Sequence, residues 1–143
     1  MFKNVWRLII LLLKDILHDL TSIDDVLFIV KNNGVVSEIR SNYLKIHQKE
    51  KWITIGDNDG PCHMHINSES IERAEFITEQ KPDKISYSIR FFDQNNQRVL
   101  AGFITKMYDE NNNPNFDRTK MYYDLFEKYG SKNTIVFDKN KTK

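Results

Sequence analysis

One stretch constrains the fold more than any other. From Lys84 to Asp93, Ile85, Tyr87, Ile89 and Phe91 alternate with Ser86, Ser88, Arg90 and Phe92. A period of two puts the first set on one face of a β-strand and the second set on the other. Gln94-Asn95-Asn96-Gln97 is a turn, and Arg98 to Lys106 returns the chain. The segment from Ser86 to Asp93 is therefore expected to be a central strand of an antiparallel sheet.

Further strand signals surround it. Val26 to Val30 and Val35 to Arg40 are β-prone runs separated by Asn32-Asn33-Gly34, and Asn-Gly at such a place predicts a type I′ hairpin. Trp52 to Ile55, His63 to Ile66 and Ile71 to Thr78 read as strands, with a possible helical turn from Ser68 to Ala74. Lys45 to Lys51 reads as a polar loop, and Thr134 to Phe137 as a last edge strand. Phe116, Tyr122 or Tyr123, Leu125, Phe126 and Tyr129 recur at helical spacing, and Gly130 stands where a helix C-cap wants glycine. Tyr122, Tyr123 and Phe126 are expected in the core.

At the other end, Leu8, Ile9, Leu12, Leu13, Ile16, Leu17 and Leu20 lie on one helical stripe, opposite Lys14, Asp15, His18 and Asp19. The uninterrupted apolar run, Leu8 to Leu13, is flanked by Arg7 and Lys14, far short of the roughly 20 residues a membrane span needs. No small-residue cleavage site follows it. A packed helix is expected, with a membrane anchor or secretion signal as the alternative. The predicted fold is α+β: a twisted antiparallel β-sheet of about six to eight strands with an N-terminal helix and a C-terminal helix, in one domain over residues 1–143.

The net charge of +1 supplies no global field for nucleic acid or an anionic membrane. A lone cysteine, Cys62, makes no internal disulfide, so the fold is built for a reducing compartment, the cytoplasm being expected, or does not need cross-links. There is no phosphate-binding glycine loop, paired-cysteine motif, nucleophile elbow or identifiable acid/base pair, so no catalytic residue is assigned.

One cluster stands out, Cys62-His63-Met64-His65. In an extended strand His63 and His65 share a face, and neutral imidazoles bind Zn²⁺, Cu²⁺ or haem iron. The competing assignment is two ordinary sheet histidines. A structural zinc site needs four ligands, and no second Cys/His pair exists. His47 is a candidate second ligand by proximity alone. Lys31, Arg40 and Lys45 near Tyr43 are placed either to receive ligand carboxylates or to form a solvated strand face.

In order of pattern, the stretch from Asp25 to Tyr129 resembles the haem-utilisation carrier family, the ChuX/HutX type with a HemS-like fold. Val26-Leu27-Phe28-Ile29-Val30 and Val36-Ser37-Glu38-Ile39 resemble its first hairpin. Trp52-Ile53-Thr54-Ile55 followed by Cys62-His63-Met64-His65 resembles its aromatic strand and Gly-His segment. Ser86-Tyr87-Ser88-Ile89-Arg90-Phe91-Phe92-Asp93 is similar to its Ser-x-Ser-Ile-x-Phe-Phe-Asp strand and is the most specific match. The resemblance implies a haem carrier, often dimeric, that binds haem without covalent attachment, stores or moves it inside the cell for iron use, and hands it to a degrading enzyme. The family's histidine maps to His63, with Cys62 in place of the glycine. His65 becomes a second ligand or supports the first, and Arg40, Lys31 and Arg90 are candidates to face the propionates. Where members place a second histidine near the first turn, this chain has Lys31-Asn32-Asn33. The alternatives are a haem-free dimerisation or interaction module of the same fold, and a haem-degrading enzyme.

His63 and His65 would lie about 6.6 Å apart along an ideal strand, so one iron takes one of them. His63, directly after the loop Gly56–Pro61, is the expected metal ligand. His63→Ala is expected to weaken haem binding about tenfold or more in a Soret titration, and His65→Ala to leave ligation largely intact.

Overall fold

The structure, a computed structural model, describes residues 13–40 and 42–137. Helix α1 covers residues 13–21 of these. The strands are β1 (Val26–Lys31), β2 (Val36–Arg40), β3 (Ile46–Lys49), β4 (Trp52–Gly56), β5 (His63–Asn67), β6 (Arg73–Gln80), β7 (Ile85–Phe92), β8 (Arg98–Ile104) and β9 (Thr134–Val136). A 3₁₀ turn spans Ser68–Ser70, and helix α2 spans Phe116–Lys128. The fold is α+β with antiparallel sheets. Leu8, Ile9 and Leu12 lie outside the described residues. No helix among those described is long and apolar enough to cross a membrane.

The strands form two sheets where the sequence predicts one. The large sheet has the order β2-β1-β8-β7-β6-β9, and the small one β3-β4-β5. β7 is interior, between β6 and β8, as expected for the central strand. β3 falls in the segment expected as a loop. Ile46 is its one apolar residue, and backbone pairing with β4, Ile46↔Ile55 through Lys49↔Trp52, makes the strand.

The first hairpin also departs from expectation. A type I′ turn needs positive φ at both central residues, yet neither Asn33 nor Gly34 has it. The Asn32 side chain organises the turn instead. Its Oδ1 accepts from Gly34 N–H at 2.8 Å and Val35 N–H at 2.7 Å, an Asx-type device that substitutes for backbone pairing.

The large sheet has two unlike faces. One carries the rows Ala74–Phe91–Leu100 and Phe76–Ile89–Gly102–Phe28. This face is the core. Leu13, Ile16, Leu17 and Leu20 of α1 and Tyr122 and Leu125 of α2 join it in one hydrophobic cluster, as do Ile53, Ile55 and Ile66 of the small sheet. Burying each large side chain stabilises by roughly 1.5–3 kcal/mol. Tyr122 packs edge-on against Phe76 (5.8 Å) and Tyr87 (5.2 Å), and its hydroxyl donates to Ser88 O at 3.2 Å. Two residues expected on this stripe are turned out: Phe116 is 77% exposed and Tyr123 45%. A stripe narrower than the sequence spacing is enough, because α2 covers only part of the sheet. Gly130, with φ +95°, closes the helix end.

The other face carries Ile77–Ser88–Phe103–Leu27–Arg40 and Glu75–Arg90–Ala101–Ile29–Glu38. None of the core elements named above packs on it, which makes it the open face of the sheet.

α1 crosses close to the sheet at Gly102. A Cβ there would meet Leu20 Cδ1 at 3.0 Å and Phe28 Cε1 at 3.6 Å. Gly102→Val is expected to destabilise by roughly 1–3 kcal/mol through overpacking, read as a lower urea midpoint at unchanged slope.

Candidate functional site

A cleft of about 630 Å³ lies beside the open face. Leu27, Ile29 and Phe103 supply apolar wall from that face, and Lys81, Lys84 and Lys106 add cations. The only sequence signal for these lysines is the turn Lys81-Pro82-Asp83-Lys84 and the end of β8, and sequence reasoning did not single them out. Tyr108 holds the cleft's end in place, its hydroxyl accepting from Ile85 N–H at 2.9 Å. Arg118 of α2 donates to Thr105 O and Asp24 O, both at 2.7 Å, and so ties the helix to the strand ends there. A second hollow of about 340 Å³ shares Thr105 and Lys106 with the cleft and is also lined by Arg40, Asn42 and Asp25. Lys106 pairs with the Asp25 carboxylate at 3.0 Å and holds it below the usual carboxylate range.

Arg40, Lys31 and Arg90 all stand on the open-face side of their strands. Arg40 is level with Leu27, and Lys31 is exposed at the end of β1. Arg90 is anchored: Nε donates to Ser88 Oγ at 3.0 Å and Nη2 to Glu79 at 3.0 Å, with its guanidinium 5.5 Å from the Phe103 ring centre. The hydrogen bond from Arg90 lowers the Glu79 pKa.

The histidines lie elsewhere. His63 and His65 are exposed on β5, their ring centres 5.3 Å apart. The small sheet turns Ile53, Ile55 and Ile66 to the core, which leaves the row His47–Thr54–His65 on its outer face. His65 Nδ1 is 2.8 Å from Thr54 Oγ1, which donates when the nitrogen is bare and accepts when it is protonated. Such a partner fixes ring orientation and leaves Nε2 for a metal. His63 pairs with Gly56, whose φ is +91° and whose hypothetical Cβ would meet Cys62 O at 2.4 Å. Glycine alone lets β5 begin this close to β4, and so sets where His63 stands. Neither histidine lines the large cleft; His65 borders a hollow of about 250 Å³ with Val30, Met64 and Val99. Among the described residues no three His, Cys, Asp or Glu side chains gather as a metal site.

A family model matches residues 14–130. Over 80% of its length the chain also follows the haem-binding protein ChuX, at 14% identity, TM-score 0.68 and 70% coverage of that chain. The chain belongs to the haem-utilisation carrier family. Two larger proteins contain the same fold. ChuS, an E. coli haem oxygenase, matches at 19% identity and TM-score 0.63, over 81% of this chain and 35% of its own. Apo-PhuS, a haem-binding protein from Pseudomonas aeruginosa, matches at 14% identity and TM-score 0.60, over 76% of this chain and 32% of its own. At such identities these three share a fold with this family member. No curated protein matches the chain.

The Thr54 contact makes a specific prediction. Thr54→Val is expected to shift the His65 imidazole resonances and leave those of His63 nearly unchanged. The cost in stability should be about 1 kcal/mol, measured by urea unfolding.

Proposed function

We propose that this chain binds haem non-covalently and passes it on unchanged, as a carrier or store for iron use in the cytoplasm. The observation that carries the proposal is the open-face cleft: an apolar wall of Leu27, Ile29 and Phe103 with cations around it, in a chain of the haem-utilisation family. Haem is a flat apolar body with two carboxylates and an iron that takes imidazole. The cleft suits the body, and Arg40, Lys31, Arg90 and the cleft lysines suit the carboxylates. His63 and His65 are the imidazoles available for the iron, with His63 the leading ligand. They stand on the small sheet, outside the cleft, so a single chain does not unite all three requirements.

A homodimer is part of the same proposal. The partner's His63, brought to the open face, would complete the site. Val35 and Val36, exposed at 63% and 60% beside an edge strand, favour self-association. Release to a haem-degrading enzyme then needs only exchange of one imidazole and exposure of the cleft. No chemistry by the protein is invoked.

Haemin titration is expected to give a saturable Soret shift with Kd of about 1 µM or tighter, and light scattering the mass of two chains. His63→Ala should weaken binding about tenfold. A Soret band that does not saturate removes the proposal. Loss of haem under a reductant, with release of iron, would make the protein a degrading enzyme.

A further inference from the structure

We infer that Arg98 is a carboxylate-recognition residue of the open face, acting beside Arg90 to fix which way a flat, apolar, carboxylate-bearing ligand lies. For haem the groups recognised are the propionates, and in that form the inference rests on the function proposed above.

The backbone puts Arg98 there by an irregularity. Along β8, Leu100, Gly102 and Ile104 face the core. Strict alternation would send residue 98 to the same side. The ladder instead shifts between Phe91 and Phe92: Phe91 pairs with Leu100, but Phe92 pairs with Arg98. One extra residue, Val99, is accommodated, and the bulge re-aims Arg98 to the open face alongside Phe92 and Arg73.

Once there, Arg98 lacks what its neighbours have. Arg73 pairs with Glu75 at 3.0 Å and Arg90 with Glu79 at 3.0 Å, and Glu79 also faces Lys81 at 3.5 Å. No acid pairs with Arg98 among the described residues. Its Nε is shut off from water with no acceptor, one of two such side-chain atoms among the described residues; the other is Ser86 Oγ. Ser86 lines the cleft. Both unsatisfied groups therefore belong to the open face. Burial first, then the nearby Arg90 charge, lowers the Arg98 pKa, and the Glu79 carboxylate, already bonded to Arg90, opposes them only in part. A half-buried guanidinium whose Nε–H has no acceptor, beside a like charge, attracts an anion, and its planar fork matches a carboxylate. Arg90 stacks on Phe103, which is cleft wall. The anion would thus lie at the margin of an apolar surface, as the carboxylates of an otherwise apolar ligand do.

The test compares wild type, Arg98→Met and Arg98→Lys in titrations with haemin, haemin dimethyl ester and 1-anilinonaphthalene-8-sulfonate. Arg98→Met is expected to weaken haemin about tenfold while changing the ester less than about twofold, and Arg98→Lys to recover part of the loss. The Tm of Arg98→Met should not fall, because the Nε–H it removes has no acceptor, whereas a merely structural arginine would lower it. Equal losses for acid and ester, or no loss for haemin, overturn the inference and leave the haem proposal standing. If wild type binds no haemin, that proposal fails and the sulfonate decides this one: weakening of about fivefold in Arg98→Met supports it, and no change overturns it. Dissociation of a dimer by Arg98→Met without change in any ligand affinity would assign the face to a second copy instead, and also overturns it.

Discussion

Packing on a single face of the large sheet is the constraint on which the rest of the molecule depends. Phe28, Phe76, Tyr87, Ile89, Phe91 and Leu100 are buried in one cluster with α1, α2 and the small sheet. Gly102 lets Leu20 approach the sheet closely enough for that layer to close. Because both helices are used on this side, the opposite face keeps its own character. Leu27, Ala101 and Ser88 are buried there even so, with Arg90 bonded to Ser88 and stacked over Phe103. Side chains, rather than a further layer of backbone, shield that surface.

A face built this way is suited to a removable ligand. An apolar cover such as a third helix would stabilise the sheet permanently. Arginines lying across aromatic rings shield it partially and remain able to pair with an incoming carboxylate. Glu75 and Glu79 hold two of them in position. The small sheet contributes differently: its inner face completes the core, and its outer face displays His63 and His65, with Thr54 steadying the second ring. Cleft and imidazoles are therefore separate devices on separate sheets.

The parts legible in the sequence were those governed by neighbours in the chain. The alternation from Ile85 to Phe92 located β7 and both of its faces, and Gly130 after α2 marks a helix end that local chemistry alone can set. The histidine pair was visible because strand spacing fixes which residues share a face. What was hidden depended on distant partners. β3 has one apolar residue and exists through its pairing with β4. The first turn followed the Asn32 side chain rather than the Asn-Gly dipeptide.

The sequence by itself determined the strand and helix periods, the α+β class, the imidazole pair and the set of cations on β1, β2 and β7, because these follow from residue type and spacing within a few positions. Only the tertiary structure decided that the strands split into two sheets, that the histidines stand apart from the cleft, and that Arg98 faces outward. The last turns on a single bulge opposite Phe91 and Phe92. A one-residue slip in a ladder reverses every later side chain, and it is set by which strands pair across the fold, something no local pattern in β8 contains.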